Sequence, residues 1–160
     1  MCNPIVKSAF LFCCFTGHRF GDKRTLEWKH IHESANGKNL YIEKKQVKTG
    51  KTVVVPLSEE ALKWMPEQQN GESLVFHELQ ITQTTVKVIL EEWMKEAGIN
   101  KHITYHCSHM VASMAISAGA DISTVGKILG HKSTVSTQVY AKVSLESKME
   151  VVNLTNGVFG

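Results

Sequence analysis

The sequence predicts an α+β fold: a mostly helical domain with a small three-stranded antiparallel sheet. Apolar residues recur at helical spacing between residues 82 and 97, and Gly98 then supplies a stop, which is typical of an amphipathic helix whose apolar face consists of Val86, Ile89, Leu90, Trp93 and Ala97. Alternating, β-branched segments flank the turn Lys48-Thr49-Gly50-Lys51, which favours a hairpin. The chain has 160 residues, 42% of them hydrophobic, so we expect one domain over residues 1–160 with its own core.

Residues that favour helix ends predict where the other helices lie. Asn3 and Pro4 suit the N-cap and first turn of a buried helix that runs to Phe15 and ends at Thr16-Gly17. Further helical segments are predicted near Phe20, from Ser58 to before Pro66, from His106 to Ala118, from Asp121 to Leu129, near Val135 to Val143, and from Leu145 to Val152.

Three short segments have the alternating, β-branched pattern of strands: Leu26–Ile31, Leu40–Val47 and Thr52–Leu57. The hairpin turn joins the last two. We therefore expect these three segments to form the antiparallel sheet.

Composition limits the class of protein. A net charge of +3 and a pI near 8.6 permit a polyanionic partner without requiring one. The four cysteines (Cys2, Cys13, Cys14 and Cys107) have no CxxC spacing, which favours buried reduced thiols over disulfides or zinc ligands. No apolar stretch reaches the roughly 18 residues of a membrane span, and the N-terminus lacks a signal-peptide pattern. We expect a soluble protein of the cytoplasm with no membrane partner.

A histidine and a tyrosine near the C-terminus limit the chemistry. His131 follows a predicted helix stop, and Tyr140 comes nine residues later. A tyrosine hydroxyl, with an ordinary pKa of about 10, is a poor nucleophile unless cationic donors surround it. Separated fragments could supply these donors: Arg19 at a helix entrance, Lys48 at the hairpin tip, His106 at a helix start, and His131 itself. Taken singly, each of these residues also has an ordinary structural interpretation, such as a surface arginine or a solvated turn lysine.

Together and in this order, the fragments resemble the catalytic domain of the tyrosine recombinase (phage integrase) family. The resemblance covers nearly the whole chain and rests on the segments TGHRFGD, KTGK…VPLS, ITYHC, SAGADISTVGKILGHKS and TQVYAKV. It implies a site-specific DNA recombinase or integrase of a mobile element, acting on double-stranded DNA in the bacterial cytoplasm or nucleoid. No metal or other cofactor is implied.

The resemblance also implies a role for each residue. Tyr140 would attack a DNA phosphodiester to give a 3′-phosphotyrosyl intermediate and a free 5′-hydroxyl. Arg19 would bind the non-bridging oxygens, which suit a guanidinium fork, and Lys48 would protonate the departing 5′-oxygen. His106 and His131 would donate hydrogen bonds to the phosphate or exchange the tyrosine proton. The covalent link conserves the phosphodiester energy, so rejoining needs no ATP.

One residue of the family pattern is missing. The family has His-x-x-Arg-His, whereas this chain reads His106-Cys107-Ser108-His109. Either His109 replaces the arginine, or the arginine is absent between Ser108 and His109 and His109 is the second family histidine. The second alignment matches the later motifs of this chain to those of the family without further gaps. A deletion there rotates His106 by about 100 degrees relative to the rest of the helix.

Loss of a phosphate-binding arginine typically costs on the order of 10³ in rate. We therefore expect either a catalytically degenerate member of the family or a printed sequence that lacks a residue of the natural protein. A Ser108–His109 separation well beyond the ~3.8 Å between adjacent α-carbons would indicate the second. A zinc site built on His106, Cys107 and His109 is disfavoured because no third and fourth ligands are evident.

The family usually carries an N-terminal helical domain that clamps DNA, and we expect this chain to be a fragment without that core-binding domain. In the full-length protein, other recombinase subunits would assemble as a tetramer on DNA. Two other functions remain open: a degenerate DNA-binding or oligomerisation module of the same fold, and a histidine-based metal hydrolase.

Overall fold

The elements of the chain confirm the α+β prediction. The computed structural model describes residues 3–100, 107–133 and 135–138, without the side chains of residues 107–110 and 135. In chain order the elements are helices α1 (Pro4–Thr16) and α2 (Phe20–Arg24), strands β1 (Ile31–Glu33), β2 (Leu40–Lys45) and β3 (Thr52–Pro56), and helices α3 (Glu59–Lys63), α4 (Gln83–Glu96), α5 (Cys107–Ser117), α6 (Ile122–Leu129) and α7 (Val135–Gln138).

Helix α1 is the centre of the core, and its ends lie where the sequence predicts them. The side chain of Asn3 accepts hydrogen bonds from the amides of Ile5 (3.0 Å) and Val6 (3.3 Å), and Pro4 opens the first turn. Gly17 ends the helix in the left-handed conformation, with φ of 73°. The helix packs against α2, α3, α4 and α5, so most of its circumference is buried.

The sheet has the strand order β1-β2-β3, with both pairs antiparallel, as predicted. Ile42 pairs with Val55, and both side chains face the core, while Glu43 and Val54 on the alternate face are exposed. Because side chains alternate along a strand, this register gives the sheet one buried face and one solvent face.

The first predicted strand was placed wrongly. Within Leu26–Ile31, residues Trp28–His30 form a 3₁₀ turn, and the strand begins only at Ile31. The amides of Trp28 and Lys29 donate to the carbonyls of Ser73 (3.1 Å) and Gly71 (2.8 Å), so a distant loop takes the hydrogen bonds that a strand partner would have used. The side chain of His30 accepts from the Glu27 amide at 3.0 Å and closes the turn.

Helix α4 packs with the predicted face, except at its end. Val86 and Leu90 are buried, and Trp93 packs edge-on against Phe10 of α1 at 6.2 Å. Ala97, predicted on this face, is exposed beyond the end of the helix, and Met94 is buried instead. Among the described residues, no helix is long and apolar enough to cross a membrane.

Helices α5 and α6 pack on each other and share a small second cluster of Ala112, Val125 and Leu129. Helix α5 runs without a break from Cys107, so the backbones of Ser108 and His109 lie in one helix. The predictions for His106, Tyr140, the continuation of α7 to Val143 and the helix Leu145–Val152 lie outside the described residues.

A buried histidine lies next to Arg19. The His18 side chain is 5% exposed, and neither ring nitrogen has a hydrogen-bond partner among the described residues. Burial lowers its pKa to about 4 from an ordinary value of 6.5, and the charge of Lys44 lowers it further, against the opposing effect of the nearby Asp22 carboxylate. The imidazole is therefore neutral in the folded protein at pH 7.

We predict that acid destabilises the wild type more than the variant His18→Leu. Between pH 6.5 and about 4 the unfolded chain protonates His18 and the folded chain does not, so the unfolded state binds more protons. The free energy of unfolding should fall by about 3 kcal/mol as the pH passes down through this window, and leucine removes that part of the fall. Urea unfolding at pH 7 and pH 4 measures the difference.

The control is His77→Gln, because His77 is exposed. It should retain the wild-type dependence on pH. Equal losses of stability in wild type and His18→Leu would contradict the prediction.

Candidate functional site

Arg19 lies at the entrance of α2, as predicted. It is the N-cap residue, with an extended backbone (φ −76°, ψ 159°), and Phe20 beside it is buried. The guanidinium is half-buried, and its Nη1 donates to Oε1 of Gln46 at 3.3 Å. One hydrogen bond thus orients the group and leaves its other N–H donors available to an anion.

Lys48 lies at the exposed tip of the hairpin between β2 and β3. The hairpin loop closes through the backbone N–H of Gln46, which donates to the backbone carbonyl of Lys51 at 2.8 Å. A side-chain oxygen of Asp22, in α2, accepts from the Val47 amide at 2.6 Å, and Asp22 is only 2% exposed. The hairpin next to Lys48 is therefore tied to the helix that begins after Arg19.

His131 follows the left-handed Gly130 that ends α6. Its amide donates to the Gly126 carbonyl at 2.9 Å, and its Nδ1 is 2.8 Å from the hydroxyl of Thr137 in α7. A Cβ added at Gly126 would lie 2.8 Å from that hydroxyl, so only glycine lets α7 approach this closely. Thr137 is fully buried, which fixes the imidazole against α7.

Gln46 joins these pieces. Its Oε1 accepts from Arg19 and from the hydroxyl of Thr49 (2.7 Å), while its Nε2 donates to the carbonyl of Leu129 at 3.0 Å. Lys51 of the same hairpin adds a contact from its Nζ to the carbonyl of His131 at 3.4 Å. The buried amide of Gln46 therefore lies where α2, the hairpin and the end of α6 meet.

The structure brings Arg19, the hairpin of Lys48 and the turn of His131 to one place, whereas His106, Tyr140 and the side chain of His109 lie outside the described residues. No described carboxylate forms an ion pair with Arg19, Lys48, Lys51 or Lys132. Unpaired cations gathered at one surface favour an anionic ligand. No group of three metal-binding side chains occurs within the described ranges.

Sequence reasoning missed three residues of this site. Gln46, Asp22 and Thr137 each act through a contact with another element. Asp22 has a weak signal, since an acidic residue in the first turn of a helix is common for local reasons. Nothing in the sequence around Gln46 or Thr137 distinguishes them from ordinary polar residues.

Solved structures of recombinases and integrases share this fold. The XerH site-specific recombinase bound to palindromic difH substrate has a TM-score of 0.69 at 20% identity, covering 94% of this chain and 45% of that one. The catalytic domain of bacteriophage HP1 integrase has a TM-score of 0.57 at 23% identity, covering 96% of this chain and 83% of that one. The fold is that of a recombinase or integrase catalytic domain.

The sequence comparisons identify the family. The tyrosine recombinase XerC of Leptospira interrogans is 42% identical over 72 residues, which cover 44% of this chain and 23% of that protein. The matched part thus spans less than a quarter of this relative. The model of the phage integrase family matches residues 3–147, and the chain belongs to that family.

We predict that Gly130→Ala destabilises the protein by about 1 to 2 kcal/mol, because an L-residue is strained in the left-handed conformation. Gly130 has φ of 68°, and an added Cβ would also lie 2.7 Å from Cδ of Gln46 and displace that side chain. The matched control is Gly21→Ala in α2, where a Cβ meets nothing within 4 Å and φ is not positive. Urea unfolding should show a loss for Gly130→Ala alone, and equal stabilities of the two variants would contradict the prediction.

Proposed function

We propose that this chain is the catalytic domain of a site-specific recombinase or integrase that breaks and rejoins double-stranded DNA through a 3′-phosphotyrosyl intermediate on Tyr140. One observation carries the proposal: Arg19, the hairpin of Lys48 and the turn of His131 are held together at Gln46, and no described carboxylate forms an ion pair with Arg19 or Lys48. Membership of the phage integrase family and the DNA-bound XerH structure of the same fold support it.

The arrangement suits an in-line phosphoryl transfer. The phenol oxygen of Tyr140 forms a bond to phosphorus while the bond to the 5′-oxygen breaks. Lys48 supplies a proton to that oxygen, and the proton of Tyr140 passes to His131 or His106. Arg19 stabilises the negative charge on the non-bridging oxygens, which is where the transition state carries it. Attack by the freed 5′-hydroxyl on the phosphotyrosine reverses these steps and rejoins a strand.

Exposed lysines near the site, among them Lys48, Lys51 and Lys132, would contact DNA phosphates, so affinity should fall as salt rises. In a longer protein, other recombinase subunits would complete a tetramer on DNA. His109 would take the place of the second family histidine on α5.

A second function is favoured by one observation. Helix α5 contains no arginine between Cys107 and Ser117, where the family pattern His-x-x-Arg-His would have the second phosphate-binding arginine. A chain that kept the fold and lost this group would act as a DNA-binding or oligomerisation module without strand transfer.

We predict that the wild-type chain forms a covalent adduct with nicked duplex DNA of randomised sequence and that Tyr140→Phe forms none. Phenylalanine keeps the ring and removes the nucleophilic oxygen. A nick beside the scissile phosphate lets the short 5′ product diffuse away and traps the adduct. Denaturing electrophoresis of labelled DNA measures the adduct.

The matched control is Tyr41→Phe, because Tyr41 lies on β2 with its ring centroid 5.4 Å from that of His32. It should form the adduct at the wild-type rate. A folded wild-type chain that binds DNA without forming any adduct would support the non-catalytic module, and chelator-sensitive cleavage without an adduct would indicate a metal hydrolase.

A further inference from the structure

We propose that Gln46 is a positioning residue for strand transfer: its side chain holds Arg19, the hairpin tip of Lys48 and the turn of His131 in one fixed arrangement. The inference rests on the proposed function and assigns to Gln46 no contact with the DNA. Gln46 would instead place Arg19, Lys48 and His131 so that all three can contact one phosphate.

The oxygen of the Gln46 amide orients the two donors on one side. Arg19 Nη1 lies 3.3 Å from Oε1 and the Thr49 hydroxyl 2.7 Å from it, and Thr49 directly follows Lys48. Because a guanidinium can only donate, the amide oxygen must face Arg19, and this settles which end of the amide is oxygen. The same atom therefore sets the guanidinium and the residue next to the lysine.

The nitrogen of the same amide holds the other side. Gln46 Nε2 donates to the carbonyl of Leu129 at 3.0 Å. Leu129 is the last residue of α6, where carbonyls have no donor within the helix, so the glutamine supplies the missing partner. Gly130 and His131 follow at once, and the amide therefore fixes the turn from which the imidazole projects.

The chemistry requires an amide. Gln46 is only 7% exposed, so its loss would leave the buried carbonyl of Leu129 without a partner. Glutamate at this position keeps an acceptor for Arg19 and Thr49 but places a second acceptor against that carbonyl. Methionine has a similar length and supplies neither hydrogen bond. Glutamate therefore removes only the hydrogen bond to Leu129, whereas methionine removes that bond and the hydrogen bonds from Arg19 and Thr49.

The first test uses the full chain without DNA. In ¹H–¹⁵N spectra, Gln46→Met should shift the Arg19 side-chain signal, the Thr49 amide and the His131 amide, whereas Gln46→Glu should shift His131 and leave Thr49 near its wild-type position. The matched control is Gln80→Met, because the exposed Gln80 also accepts from an arginine, with Arg24 Nη2 at 3.5 Å. It should leave all three signals unchanged. Unchanged Arg19 and His131 signals in Gln46→Met would overturn the inference.

The second test measures adduct formation. Gln46→Met should slow it on the order of 100-fold relative to wild type and Gln80→Met, since small misplacements of positioned groups cost this much. A substrate with sulfur in place of the 5′-bridging oxygen needs no proton on its leaving group, because a thiol is far more acidic than an alcohol. Sulfur should restore the rate of Lys48→Ala almost fully and that of Gln46→Met only in part, because Arg19 is displaced as well.

The two proposals fail in different ways. If the wild type forms no adduct, the proposed function fails, and the spectra alone decide whether Gln46 holds the three groups together. If the wild type forms the adduct and Gln46→Met matches it with both substrates, only the inference about Gln46 fails. Full rescue of Gln46→Met by sulfur would also contradict it, since Arg19 would then be unaffected.

Discussion

A single buried amide is the constraint on which the candidate site depends. Gln46 must satisfy Arg19 and Thr49 with its oxygen and Leu129 with its nitrogen, and at 7% exposure it has little water to replace any of them. Because the three partners belong to different elements, satisfying the amide fixes their relative positions. Any other arrangement of the three partners would leave a buried polar group without a hydrogen bond, and the free-energy cost of that loss favours this arrangement.

The rest of the fold brings these elements within reach of the amide. Helix α1 packs on α5, which packs on α6, while α2 follows α1 after the turn at Gly17. Close contacts then tighten the assembly: Asp22 binds the amide of Val47, and Thr137 lies against Gly126 and the imidazole of His131. Helix α7, which carries Thr137, is thereby placed beside α6 in the part of the chain that precedes Tyr140.

Local signals in the sequence predicted the elements well, and tertiary contacts explain what they missed. Asn3 and Asp121 begin their helices where expected, because a cap depends on residues within one turn. The segment around Trp28 was wrong as a strand because its amides bond to the distant loop at Ser73. Arg19 and Lys48 could be predicted as candidate residues, but Gln46 could not, since its partner Leu129 lies 83 residues further along the chain.

We propose that the groups held by Gln46 form a phosphodiester site that lacks one guanidinium. The most direct measurement is the rate of adduct formation after insertion of arginine between Ser108 and His109, with insertion of alanine as the control for helix register. We expect the arginine insertion to raise the rate on the order of 10³-fold over the uninserted chain and well above the alanine insertion. Equal rates for the two insertions, both folded and bound to DNA, would contradict the claim.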